Sequence, residues 1–237
     1  MDDFGITGSV LVDVIDWTGE TGDRLVYPFD RHGNAIQAGA RLTVRPGQQA
    51  VFVHDGRIAD LFEAGEHVID ASSLPRLAAL LGWQDEPPEQ FEAEIFFCRS
   101  ALSEERIWRS RQPMVVRDRG FGLVPTHMHG RFDARVSDPQ ALVREFVTPE
   151  GRFSDVLLNE QLQALIVERV FALIAMDALD VQALQRERAR LGETFRQRMA
   201  PEFLAFGLDL ASLAIDRFNW PRPVAASLPA APEGVPA

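Results

Sequence analysis

Two histidines one residue apart, His127 and His129, are the first side chains in this sequence that suggest chemistry. On a strand, residues i and i+2 face the same side about 6.6 Å apart, which lets them share a metal ion. A metal needs at least a third ligand. Asp133 lies on the same face but roughly 13 Å beyond His129. Arg131, between them, carries a fixed positive charge that opposes a cation. The plainer reading is two exposed histidines on the polar face of a strand. Cys98 is the only cysteine. It ends an apolar run, where a lone thiol behaves as a small core hydrophobe. No histidine stands beside it in sequence to activate it.

Other reaction motifs are missing. Gly19-Glu20-Thr21-Gly22 has neither the Gly-Lys-Ser/Thr nor the strand-then-helix setting of a phosphate loop. There is no Gly-x-Ser-x-Gly elbow, no His-Glu-x-x-His and no Cys-x-x-Cys. The expectation is therefore no enzyme, no catalytic residue, no metal and no cofactor. A metal-dependent or ligand-binding enzyme built on His127, His129 or Cys98 is the alternative.

Surface chemistry offers two further candidates. Arg106, Arg109, Arg111, Arg117 and Arg119 cluster around Trp108, a patch suited to lipid phosphates or an acidic partner. Its plainer reading is a solvated strand rim with Glu104, Glu105 and Asp118 as counter-charges. Near the start, Phe4, Ile6, Val10, Leu11, Val14, Ile15 and Trp17 suggest an edge that meets a membrane or partner, or a first element packed on the core. The chain holds 24 basic residues, all arginine, against 35 acidic ones, for a net charge of −11. That field disfavours nucleic acid and docking to anionic lipid by charge alone. One cysteine permits no intrachain disulfide. No stretch of about 18 apolar residues reads as a membrane span, and the acidic start does not read as a signal peptide. A cytoplasmic protein is expected, with the inner face of a membrane as a peripheral site.

The elements that must position these residues change character along the chain. Asp55-Gly56, between Gln49–Val53 and Ile58–Phe62, is a strong hairpin signal, because both turn positions need positive φ. Pro46-Gly47 and the stretch Glu63 to Glu66 mark further turns, so residues 41–70 are predicted as a meander of four antiparallel strands. A short helix is expected from Leu74 to Leu81, ended by Gly82. Phe91, Ala93, Ile95 and Phe97 alternate with Glu92 and Glu94, as in a strand with one buried face. Strands follow around Val115 and from Arg131 to Val136. Asp138-Pro139 opens a short helix. Ser154 and Asp180 each suit the cap of a longer one, with apolar stripes Leu162-Leu165-Ile166-Val170-Leu173 and Leu184-Leu191-Phe195. Gly207 ends the helices, and Leu208 to Phe218 reads as a final strand. Beyond Pro221 the chain is rich in Pro and Ala.

The stretch from Leu42 to Ile69 resembles the opening of the SPFH domain, the band-7 fold of stomatins, prohibitins and flotillins. Similarity continues through Leu11–Trp17, Leu25–Phe29, Leu80-Leu81-Gly82-Trp83, Glu94–Phe97, Pro113–Asp118, Phe132–Pro139 and Phe206–Leu210. The bacterial branch often labelled virion-core-protein-like fits best. This resemblance implies an α+β fold: an antiparallel strand meander, then a mixed subdomain with two or three helices and a final strand. Expected boundaries are 1–40 for an N-terminal strand or edge segment, 41–110 and 111–222 for the two subdomains, and 223–237 for a disordered tail. It further implies a scaffold that forms homo-oligomers or recruits partner proteins, with no catalytic residues to carry over. Pro223 cannot extend a helix for coiled-coil assembly, so sheet edges or helix faces are expected to make any contacts.

Overall fold

The computed structural model describes residues 11–18, 24–83, 88–100, 105–148, 150 and 152–228. Phe4, Ile6 and Val10 of the apolar start, with Glu104 and residues 229–237, lie outside them. The fold is α+β and divides into two compact units. One takes residues up to 101 and 138–154; the other takes 102–137 and 155 onward.

Among the described residues the first unit contains eight strands: β1 (Val12–Asp16), β2 (Val26–Pro28), β3 (Ile36–Val44), β4 (Gln48–His54), β5 (Arg57–Phe62), β6 (Gly65–Val68), β7 (Gln90–Phe91) and β8 (Glu94–Arg99). Helices α1 (Pro75–Leu81) and α2 (Pro139–Phe146) complete it. The predicted hairpin is present: β4 and β5 pair around Asp55 and Gly56, both at positive φ. The predicted four-strand meander is not. β3 pairs with β6 and, in parallel, with β1, while β4 lies between β5 and β8 in a second sheet. Burial explains the split. Alternate residues of β3 face solvent, whereas β4 buries Ala50, Val51, Phe52 and Val53 in succession. A strand apolar on both faces needs a layer on each side. One face joins Ile15, Leu42 and Phe97 in a shared core, and α2 covers the other against β4 and β5.

The same logic divides the run from Phe91 to Phe97. It breaks at Glu92-Ala93: β7 joins β3, while β8 enters the middle of the second sheet. There Ile95, Phe96, Phe97 and Cys98 are all buried, so β8 has two apolar faces rather than the expected one. Asp138 accepts hydrogen bonds from the N–H groups of Gln140 and Ala141, capping α2 as its sequence suggests.

The second unit is one antiparallel sheet of β9 (Arg106–Arg109), β10 (Met114–Asp118), β11 (Gly122–Val136) and β12 (Leu208–Asn219), with helices α3 (Asp155–Met176), α4 (Val181–Ala205) and α5 (Arg222–Ala226). β11 is its spine. Residues 127–136 pair with β12, and on the opposite side β10 and then β9 follow its length. Alternate residues of β11, from Val124 to Val136, are buried; α4 packs on β12 and α3 on β9 and β10. Trp108 is fully buried and reaches across Gly130 of β11 to donate its indole N–H to the Ala214 carbonyl of β12, 3.1 Å away. A Cβ at Gly130 would stand 2.0 Å from that carbonyl oxygen and 2.9 Å from the indole ring. After Pro221, helix α5 buries Val224.

Candidate interaction surface

Asp118 organises one end of the second unit. Its Oδ1 accepts hydrogen bonds from the N–H groups of Gly120 (2.8 Å) and Phe121 (2.9 Å), closing the turn between β10 and β11. Gly122 at φ 75° completes that turn. Its Oδ2 accepts from the Val181 N–H, 3.1 Å away at the start of α4. These bonds, the Phe121 N–H foremost, hold the Asp118 carboxyl below its ordinary value of 3.8. Asp180 caps the same helix by accepting from Ala183 N–H.

Around this knot lies a cleft of about 700 Å³. Val115, Val116, Arg117, Asp118 and Arg119 all line it, with Leu123, and Phe171 and Ile174 of α3 form its buried floor. Consecutive strand residues point to opposite faces, so a cleft that touches four in a row, Val115 to Asp118, runs along the strand's edge. Among the described residues that edge is free: β10 pairs only with β11. Val115 is 59% and Leu123 66% exposed, large apolar side chains left in solvent. A second cleft of about 380 Å³ includes Met114, Val167 and Glu168. Met114 precedes Val115 and Val167 lies one turn before Phe171, so the two clefts follow one seam between β10 and α3.

The arginine cluster read from sequence is thereby divided. Arg106 is buried and paired with Asp155 of α3. Arg111 pairs with Glu160 at 2.7 Å. Glu105 is committed to Arg131 and Asp118 to backbone N–H groups, so neither neutralises Arg117 or Arg119. Both of these guanidinium groups, like that of Arg109, are exposed and without an ion pair among the described residues. The cluster's Trp108 is core.

The histidines sit where the alternation places them, on the solvent face of β11. His129 has Arg109 on one side and Arg217 on the other, and His127 faces Asn219. Asp133 accepts a hydrogen bond from Ser212. Among the described residues no three His, Cys, Asp or Glu side chains are grouped to hold a metal, and two arginines beside His129 repel a cation. Cys98 is buried inside β8, and burial pushes its thiol well above the usual range, away from the reactive thiolate. At the N-terminus, Ile15 and Trp17 are core, while Val14 faces out beside Arg41.

Sequence reasoning missed the seam. Its signal was present at β10, where exposed Val115 and Arg117 alternate with buried Val116 and Asp118, but whether a strand ends a sheet is decided elsewhere in the chain.

Two sheets in the first unit and one sheet backed by two long helices in the second make an α+β fold of mostly antiparallel strands. The chain belongs to the SPFH domain–Band 7 family, whose model matches residues 26–231. It is similar to an uncharacterized protein of Bacillus subtilis (strain 168), YdjI, with 23% identity over 216 residues. That alignment takes in 90% of this chain but 66% of YdjI, so the chain spans just under two thirds of its relative. No described helix is long and apolar enough to cross a membrane.

Proposed function

We propose that this protein is a non-enzymatic SPFH scaffold that recruits protein partners or further copies of itself. Its place of work is the cytoplasm, with peripheral contact at the inner face of a membrane. Family membership supports the scaffold role in general. The observation that carries the reading is the β10–α3 seam: exposed apolar side chains, a strand edge free among the described residues, and Arg109, Arg117 and Arg119 without an ion pair among them make a surface suited to contact rather than catalysis. Light scattering on the full chain, with and without membrane vesicles, tests it. Assemblies above the 26.4 kDa monomer mass, or a co-sedimenting complex, are expected. A strict monomer that ignores membranes and proteins alike overturns it.

A further inference from the structure

We infer that the β10–α3 seam is a receptor for an extended peptide that adds as a strand to the free edge of β10 and carries carboxylates at one end. The inference names the partner class for the scaffold proposed above.

The backbone states the mode of binding. Antiparallel neighbours alternate between hydrogen-bonded and non-bonded pairs. Val115 stands opposite Pro125, which has no N–H to donate. The bonded pairs are therefore Met114–Thr126, Val116–Val124 and Asp118–Gly122, and the N–H and C=O groups of Val115 and Arg117 point away from β11. They form a short template for another strand.

The side chains state what kind of strand. Apolar lining from Phe171, Ile174, Val115 and Leu123 accepts alternate apolar residues. The acids at this end are already used: Asp118 holds three backbone N–H groups, and Asp180 caps α4. Asp177 pairs with Arg198. At this end the positive charges of Arg117 and Arg119 remain without an ion pair among the described residues, in a protein of net charge −11. A carboxylate partner complements them. Further along the seam Arg109 and Arg111 stand with Glu160 and Glu168, two charges of each sign, with Glu160 held by Arg111, so acids along the whole peptide would gain no net attraction there. They belong at the Arg117–Arg119 end. A flat anionic membrane matches less well, since two arginines must act against the overall charge and a bilayer offers no backbone to a strand edge.

The test uses fluorescein-labelled peptides and the full chain in an anisotropy titration. The probe alternates valine and threonine and ends in two glutamates, made in both orientations. One control replaces the glutamates with lysines. A second carries N-methyl groups on alternate amides, in both phases. At least one acidic probe should bind and weaken at least tenfold with R117E/R119E. The lysine peptide and one N-methylated phase should each bind at least tenfold more weakly than that probe. R135E, on the solvent face of β11 away from the seam, should leave binding within twofold. Failure of both acidic probes to bind, equal binding by the lysine peptide, or insensitivity to both methylation phases overturns the inference. So does R117E/R119E acting only on binding to phosphatidylglycerol vesicles, which assigns the arginines to a membrane. Loss of the inference leaves the scaffold reading standing if light scattering still finds assemblies. A strict monomer that nevertheless binds the probe removes self-assembly and keeps the seam.

Discussion

Each unit pins a helix to its sheet with a buried aspartate on a strand, but the two aspartates carry different loads. In the first unit Asp60 of β5 accepts from the N–H groups of Arg76 and Leu77, at 3.2 and 2.9 Å, and fixes the start of the seven-residue α1. In the second, Asp118 of β10 fixes the start of the 25-residue α4 and also closes the β10–β11 turn. One carboxylate serves one junction; the other joins a helix and a hairpin that together border the seam. The same device is a local fastener in one unit and part of the functional surface in the other.

Breaking the second fastener should have the largest effect. Asp118→Asn keeps the shape but exchanges one oxygen for a donor that opposes the N–H groups it faces. A loss of about 3 kcal/mol is expected in denaturant unfolding, as for hydrogen bonds to a charged group. The pH profile sharpens the point. A carboxyl held low in the folded state contributes stability that is complete above its unfolded value near 3.8 and is lost as pH falls through the folded value. Asp118→Asn should flatten that acid limb. An acid limb identical to that of the unmodified chain would show that Asp118 carries no such load.

Asp60→Asn should cost about 2 kcal/mol, less than Asp118→Asn, because two N–H groups depend on it rather than three. The ordering is the test. If Asp60→Asn proves the more damaging, the contrast between a local fastener and a shared one fails.

These two residues also mark where sequence reading stops. Hairpin Asp55-Gly56, the caps Asp138 and Asp180 and the stops at Gly82 and Gly207 were legible because each acts within a few residues. Asp60 and Asp118 were not, since their partners lie 17 and 63 residues away; Asp118 passed for a counter-charge to its neighbouring arginines. Gly130 and Gly192 escaped for the same reason. Each lets backbone or indole approach from another element, at Ala214 and Leu213. Sheet allocation in the first unit depended on burial of both faces of β4, whose apolar run Ala50–Val53 was a usable signal not set against the alternating β3. At the candidate site, residue types were visible and pairing was not: Arg109, Arg117 and Arg119 stand apart only after Arg106 and Arg111 are seen to be taken.

Cys98 measures how dry the first unit is. Cys98→Ser places a hydroxyl in β8 with apolar neighbours on both sides and should cost about 1.5 kcal/mol, with Cys98→Ala as the control without a polar atom. The native thiol should resist an aqueous thiol reagent until the chain unfolds. Rapid labelling of folded protein would show that the second face of the sheet is open, and would return Cys98 to consideration as a reactive group.

The smallest effect belongs to the solvent face of the second unit, which looks richest in interactions. Arg131 binds Asp216 and Glu105 at once, and Arg135 pairs with Asp209 further along β11. These groups are partly exposed, so water and salt compete for each charge and ordering the long side chains offsets the attraction. Arg131→Ala should therefore cost under about 1 kcal/mol, and less as salt rises. His127→Ala and His129→Ala, on the same face, should fall within about 0.5 kcal/mol of the unmodified chain. A loss from Arg131→Ala as large as that from Asp118→Asn would mean that the ladder of charges, rather than the carboxylate knot beneath the hairpin, holds β9, β11 and β12 together. The weight of the second unit would then shift from the edge at β10 to the open face of the sheet.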